Sequence, residues 1–337
     1  MKLPVMPPVK PMLAKLQDEL PTGPEWLYEP KWDGFRAIVF RDGDEVQVQS
    51  RDLKPLDRYL PEIVPALKKS LPRRCVVDGE IVVTSNKGLD FDALLQRIHP
   101  AESRINLLAE KTPSSYVAFD LLAADKKDLR QAPLEERRDL LVKALDDSGS
   151  VPKSRRATQI FVTPQSDDPA EAMSWLDTFG KLGLDGVIAK ERGLTYVENK
   201  RVMVKLKQRR TADCVVGGYR LSKTKDGVGS LLLGLYDDAG VLHFVGHTSS
   251  FKAAERRELL KRLRPLEGGD SFGLGRTPGG PSRWNAGREL NWVALRPELV
   301  CEVAYDRMQG DRFRHASTFL HWREDKSPKE CTLDQVL

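Results

Sequence analysis

The sequence predicts an α+β chain in two parts, a larger mixed domain over residues 1–209 and a small β-barrel over 210–337. Three observations carry that expectation. Through the first two thirds, apolar runs rich in β-formers are interleaved with capped helical segments. After Thr211 the texture changes: short β-runs recur at 214–219, 230–236, 242–245 and 299–305, separated by Gly/Pro/Ser-rich connectors, with one helical pattern at 253–263. A length of 337 residues suffices for two separate cores, with the hinge expected near 208–213.

Taken in order, residues 1–28 read as a proline-punctuated lead-in. Runs 35–41 and 45–49 flank Asp42-Gly43, a strong hairpin signal, and Ser50-Arg51 marks the strand exit. Residues 56–71 read as helical despite Pro61 and Pro65, and 75–83 as a strand. Asp90 is placed to cap a helix over 91–98; 116–122 is a buried strand. Pro133 opens a helix through Leu145 with Glu135 and Glu136 in its first turn. A basic loop at 151–157, a strand at 160–163, a helix at 169–182 and strands at 186–190 and 202–207 complete the first part.

Composition excludes several classes. Hydrophobic residues at 40% and charged residues at 31% describe a soluble globular chain rather than a disordered or membrane one. No apolar run approaches the roughly 18 residues of a membrane span. The N-terminus, with Pro4, Pro7 and Pro8, lacks the pattern of a signal peptide, so a cytoplasmic protein without membrane partners is expected. Cys75, Cys214, Cys301 and Cys331 form no CxxC pair, which points to reduced, buried, structural thiols. A net charge of +5 permits an acidic partner without requiring one, but residues 199–210 carry basic side chains at 200, 201, 205, 207, 209 and 210 with no acid.

The chemistry centres on Glu29-Pro30-Lys31-Trp32-Asp33-Gly34-Phe35-Arg36. A lysine two residues before an Asp-Gly turn that opens a buried strand can be held rigidly at the mouth of a cavity. Partial desolvation and neighbouring cations there favour the neutral, nucleophilic amine. On these eight residues alone, a surface hairpin turn fits equally. Asp78-Gly79-Glu80 lies within an apolar strand, where a carboxylate is costly unless paired or coordinated. Lys205 and Lys207, two apart on a strand, share a face, either of a pocket or of a solvated edge. Phe119 within Tyr116-Val117-Ala118-Phe119-Asp120-Leu121 fits a core position as well as a base platform, and Asp185-Gly186 fits a turn before a core strand.

In order and spacing, these segments resemble the motifs of the covalent nucleotidyltransferases, which include ATP-dependent DNA ligases, RNA ligases and mRNA capping enzymes. Lys31-x-Asp33-Gly34-x-Arg36 matches the signature, Ser50-Arg51 the arginine that follows it, and Asp78-Gly79-Glu80 the third motif. The segments 116–121, 185–190 and 202–207 match the next three, with aspartate at 185 where glutamate is usual. The C-terminal run Asp311-Arg312-Phe313-Arg314-His315 and His321-Trp322-Arg323-Glu324-Asp325-Lys326 resembles the sixth. Together with Ser230–Tyr236, it makes the whole similar to a minimal actinobacterial DNA ligase of the C type, related to the ligase domain of bacterial end-joining proteins. The stretch 245–251 departs from the Gly-rich turn that relatives carry there.

The resemblance implies an adenylation domain of ATP-grasp-like antiparallel sheets with helices, followed by an OB-fold barrel. Lys31 would attack the α-phosphate of ATP, with Lys205 and Lys207 as further catalytic cations. Glu29 would read the adenine amino group, Phe119 would cover one face of the base, and Glu80, a candidate for a ribose hydroxyl as well as for metal, would with Asp185 hold Mg²⁺ or Mn²⁺. Arg36, Arg51 and Lys190 would complete the nucleotide site, with Arg323 and Lys326 reaching the β,γ-phosphates when the barrel closes. ATP rather than NAD⁺ is expected, because only residues 1–30 precede Lys31. The implied partner is nicked or gapped DNA, gripped through its backbone by basic residues including Arg155, Arg156, Lys223 and Lys225. The resemblance also implies action as a monomer, recruited by a repair polymerase, primase or end-binding protein. An RNA ligase, a capping enzyme and a non-catalytic DNA-binding scaffold compete with this reading. ATP against GTP, and nicked DNA against nicked RNA, separate the enzymes. A scaffold would need none of Lys31, Glu80, Lys205 and Lys207 gathered in one place. One decoy, Gly269-Asp270-Ser271-Phe272-Gly273, matches a nucleophile elbow, but the glycines and proline that follow offer no helix.

Overall fold

Residues 1–85, 88–146, 158–178, 183–184, 186–207, 210–273, 275–278 and 291–336 are described by a computed structural model of the chain. It divides into two units, Met1–Gln208 and Arg209–Leu337.

In the first unit the strands are β1 (Leu13–Gln17), β2 (Trp26–Pro30), β3 (Phe35–Asp42), β4 (Glu45–Ser50), β5 (Arg74–Ser85), β6 (Gly88–Leu89), β7 (Ser114–Ala124), β8 (Lys127–Asp128), β9 (Ile160–Val162), β10 (Gly186–Glu191) and β11 (Arg201–Lys207). The helices are α1 (Ile63–Ser70), α2 (Phe91–Gln96), α3 (Glu102–Lys111), α4 (Leu134–Leu145) and α5 (Pro169–Thr178). One sheet has the order β4-β3-β5-β7-β8, with β6 beside β5 and β9 parallel to β7; a second runs β1-β11-β10-β2.

Local chemistry explains the elements. The Asp42–Glu45 connection turns through Gly43 at φ +65°. Asp90 caps α2 by accepting the Ala93 N–H at 2.8 Å. Strand β7 is buried from Ser114 through Ala123 because helices cover one face and the second sheet approaches the other. On the helical side Leu60, Ile63, Leu67, Leu94 and Leu141 pack on Val39, Val77 and Tyr116, each fully buried leucine contributing about 1.5–3 kcal/mol. On the other side Val5, Val9, Met12, Ile38, Phe40, Leu122, Tyr196 and Met203 join the lead-in and the second sheet to the first.

The second unit holds β12 (Arg210–Leu221), β13 (Val228–Tyr236), β14 (Leu242–Thr248), α6 (Ala253–Leu263), β15 (Val293–Ala294), β16 (Val300–Tyr305), β17 (Met308–Gln309), β18 (Arg312–Phe313) and β19 (Thr318–Trp322). The sheet order is β14-β13-β12-β16-β19, with β15 on β12. The ends meet: Thr248 bridges to Ser317, whose N–H donates to the His247 carbonyl at 2.9 Å, so the sheet curls into a barrel and covers its edges. Ser271 of the elbow-like sequence lies in a turn and donates to the Gly217 carbonyl, while Phe272 fills the barrel core, so the resemblance to an elbow is only in the letters.

Several expectations need correction. The lead-in is not featureless: it contributes β1 and β2, which the sequence hid because β1 is a partly exposed edge strand with weak alternation. The helix over 56–71 is a short 3-10 turn at Asp57–Tyr59 followed by α1, separated around Pro61. Helix α3 and strand β19, both largely exposed, were not anticipated. Residues 210–213 of the expected hinge already belong to β12. The basic loop 151–157 and residues 179–182 lie outside the described residues.

Among the described residues no helix is long and apolar enough to cross a membrane. All four cysteines are free and buried. The folded protein is therefore expected to resist an aromatic disulfide reagent, with the four thiols titrating only after denaturation; rapid native labelling would contradict this burial.

Candidate functional site

Lys31 follows β2 in the four-residue link to β3, and the link is fixed at three points. The Lys31 N–H donates to the Gly186 carbonyl at 2.8 Å. The buried Trp32 indole N–H donates to Thr163 Oγ1 at 2.8 Å, with its ring edge-on to Phe161. The Gly34 N–H donates to Glu80 Oε1 at 3.1 Å. Gly34 is required by proximity, since a Cβ there would lie 2.0 Å from the Ile81 carbonyl oxygen. The same holds for Gly186, at φ +149°, where a Cβ would lie 2.0 Å from the Leu206 carbonyl oxygen.

The half-buried Lys31 side chain lines a cavity of about 240 Å³ between the two sheets of the first unit. From the four-stranded sheet come Glu29, Ile188, Lys190, Arg201, Met203 and Lys205. Their positions follow the strand alternation: Lys205, Ile188 and Glu29 form one row across β11, β10 and β2. From the seven-stranded sheet and its hairpin come Arg36, Arg51, Glu80 and Phe119. Among the described lining residues, Lys31, Arg36, Arg51, Lys190, Arg201 and Lys205 face only two carboxylates, Glu29 and Glu80. Such a cavity is built for a polyanion. Lys207 continues the Lys205 face opposite Gly186 but is not among the cavity-lining residues.

Buried carboxylates hold two of these cations. Glu29 pairs with Lys190 at 2.7 Å, both side chains 4% exposed, and its other oxygen accepts from Gln165 Nε2 at 2.9 Å. Asp78, fully buried, accepts from Arg36 Nε at 2.6 Å and Nη2 at 2.5 Å. Burial alone would lower the Arg36 pKa, but Asp78 outweighs it and holds the guanidinium firmly charged. Arg36 lies 4.3 Å from the Phe119 ring centroid and Lys190 5.0 Å from it. Phe119 owes its placement to a β-bulge. Asp78 pairs with Asp120 and Gly79 with Ala118, leaving Phe119 as the extra residue of β7, re-aimed toward the cavity.

Glu80 sits opposite Arg36 on β5. Desolvation raises its pKa to about 7, against the pull of Arg36 and Lys31. A carboxylate desolvated in this way lacks counter-charge that a divalent cation would supply. Among the described residues no group of three or more His, Cys, Asp or Glu side chains is placed to hold a metal. One carboxylate suits an ion that keeps waters and substrate oxygens as its other ligands. Asp185, the other expected ligand, lies outside the described residues, as do Arg155 and Arg156.

In the second unit Arg323 and Lys326 come together on one carboxylate. Arg323 Nη1 lies 3.0 and 3.1 Å from the two oxygens of Asp213, and Lys326 Nζ lies 2.7 Å from Oδ2. Arg323 also grips Asp325 at 2.9 and 2.8 Å, which lowers the Asp325 pKa to about 2. Lys223 and Lys225 are exposed on the β12–β13 turn. Sequence reasoning missed Tyr196, Gln165 and Asp213, none of which stands in a recognisable motif. It read Arg201 only as part of a basic run and Asp78 only as a neighbour of Glu80.

The geometry can be set beside known proteins. A family model for the ATP dependent DNA ligase domain matches residues 11–207, and one for the ATP dependent DNA ligase C terminal region matches 224–326. DNA ligase C of Mycobacterium tuberculosis is 51% identical over 350 residues, covering 100% of this chain and 96% of that protein. The multifunctional non-homologous end joining protein LigD of Pseudomonas aeruginosa is 33% identical, covering 98% of this chain and 37% of that one. A solved Lig E DNA ligase superposes with a TM-score of 0.54 at 17% identity, over 93% of this chain and 99% of that one, a likeness of fold.

The Glu29–Lys190 pair yields a prediction independent of any activity. Lys190→Met strands a buried carboxylate and is expected to cost about 3–5 kcal/mol in chemical denaturation, whereas Glu29→Gln combined with Lys190→Met recovers most of that loss. Equal costs for the single and double variants would contradict the pairing.

Proposed function

Because this chain belongs to the ATP-dependent DNA ligase family, we propose that the cationic cavity of its first unit is the ATP site and that Lys31 carries the AMP. The chain is an ATP-dependent DNA ligase that seals nicks between a 5′-phosphate and a 3′-hydroxyl. What remains to assign is the part each residue plays. The observation that carries the assignment is convergence: Arg36, Glu80 and Phe119 from one sheet, Lys205 from another and Lys31 from the link between β2 and β3 arrive at one cavity.

In the first step the Lys31 amine attacks the α-phosphorus of ATP. A P–N bond forms, the bond to the bridging oxygen breaks, and pyrophosphate leaves as the amine loses its proton. Lys205 stabilises the charge that grows on the α-phosphate oxygens, and Lys207 supports it from the same strand face. Phe119 offers a ring to the adenine, and Glu29, held by Lys190 and Gln165, accepts from its amino group. Arg36, oriented by Asp78, serves the sugar side, and Arg51 the phosphates. Arg323 and Lys326 act on the β- and γ-phosphates. In the second step AMP passes to the nick 5′-phosphate, and in the third the 3′-hydroxyl displaces AMP. Positioning and charge neutralisation supply most of the rate.

Magnesium or manganese would be held by Glu80, with Asp185 as the second ligand read from the sequence, and would neutralise charge on the departing pyrophosphate. The desolvated Glu80 carboxyl beside the cavity supports that fit. Residues 1–209 are assigned as the adenylation domain and 210–337 as the OB-fold domain. One relative is named for non-homologous end joining, and action in DNA repair beside a polymerase, primase or end-binding protein is assigned as part of this reading. The protein is assigned to the cytoplasm and as a monomer.

Sealing of an end-labelled nicked duplex with ATP is expected from the wild type and to be lost in Lys31→Ala; sealing by that variant would refute the assignment. Gly34→Ala, which forces the Lys31 link off the Ile81 carbonyl, is expected to slow self-adenylation about 10²-fold without unfolding the chain. DNA affinity measured against salt should fall steeply, with a slope near −0.9 per phosphate neutralised, and Lys223→Ala with Lys225→Ala should flatten it. A salt-independent affinity would contradict a grip on the backbone.

A further inference from the structure

Tyr196 lies in the connection between β10 and β11, outside every motif, yet its hydroxyl reaches both β5 and the residue just before β1. It donates to Asp78 Oδ2 at 2.6 Å and accepts from the Met12 N–H at 3.2 Å. Its own N–H donates to the Arg130 carbonyl at 2.8 Å, and the ring is 4% exposed. Met12 lines the cavity, as do Arg36 and Phe119. Asp78 Oδ2 is shared between Arg36 Nη2 and the Tyr196 hydroxyl, while Oδ1 takes Arg36 Nε. The phenol therefore completes the set of donors that locks a fully buried carboxylate, and that carboxylate sets the plane of the guanidinium over Phe119.

We propose that Tyr196 is a positioning residue for the nucleotide: acting through Asp78, it fixes Arg36 over Phe119 and ties the Met12 wall of the cavity to that arrangement. Packing alone does not explain it. A phenylalanine would fill the same space, and a buried hydroxyl is a cost unless its hydrogen bonds are used. The hydroxyl ties a wall of one sheet to a charge network of the other, so its loss lets the guanidinium swing without emptying the core. The inference rests on reading Arg36 and Phe119 as nucleotide contacts.

The test is single-turnover self-adenylation of the full chain as a function of ATP concentration, with thermal melting of every variant. Tyr196→Phe is expected to raise the half-saturating ATP concentration about tenfold, with a maximal rate changed less than about twofold. Arg36→Lys keeps the charge but loses the fork, and is expected to raise it too. In the Arg36→Lys background, Tyr196→Phe should add little further. An unchanged ATP dependence in Tyr196→Phe, a full repeat of its effect in the Arg36→Lys background, or a loss that merely tracks the folded fraction would each overturn the inference. If Arg36→Lys itself leaves the ATP dependence untouched, the nucleotide reading of the cavity falls, and this inference with it. An Arg36 effect without a Tyr196 effect overturns the inference alone.

Discussion

Two buried carboxylates, Glu29 and Asp78, make it possible for one small cavity to carry six cationic side chains among the described residues. Like charges crowded into low dielectric repel strongly, and a protein tolerates them only where acids hold some of them in place. Glu29 takes Lys190 and Asp78 takes Arg36, each at hydrogen-bonding distance and each carboxylate almost wholly out of solvent. These pairs do not cancel the positive excess; they make its geometry rigid. A rigid positive lining gains on meeting a triphosphate because no reorganisation is needed when the charge arrives. The same acids serve both sheets, Glu29 holding Lys190 within the four-stranded sheet and Asp78 standing behind the guanidinium over Phe119.

The backbone supplies the rest of the precision. Lys31 is not on a strand but in a short link pinned to Gly186, Thr163 and Glu80. Each pin belongs to a different element, so the link cannot move without disturbing β10, the segment after β9 and β5. The bulge in β7 has a comparable role for Phe119. In a regular strand, alternation would fix the face of that ring together with those of its neighbours; one extra residue lets it turn independently.

Much of this was legible in the letters, and the part that was not has physical causes. The hairpin at Asp42-Gly43, the helix capped by Asp90, the helix opened after Pro133, and the barrel strands follow from turn chemistry and periodicity that act locally. Lys31, Arg36, Glu80, Phe119, Lys190 and Lys205 were found because their spacing matched a family, and the cavity brings them together. Tyr196, Gln165 and Asp213 escaped because what matters about them is a partner 118, 136 and 110 positions away, with nothing nearby in sequence to mark it. Strand β1 escaped because an edge strand paired to β11 needs little alternation of its own. Lys207 shows how far alternation reaches: it shares the Lys205 face, and that face extends beyond the cavity lining.

The central claim is that one amine, in the link between β2 and β3, is the atom that becomes covalently bonded to AMP. Peptide mass spectrometry of the protein after incubation with ATP and a divalent cation tests it most directly. The account predicts a single acid-labile AMP adduct on the peptide containing Lys31, discharged when adenylate-accepting nicked DNA is added. An adduct on any other residue, or a nicked duplex sealed with no adduct ever formed, would contradict it.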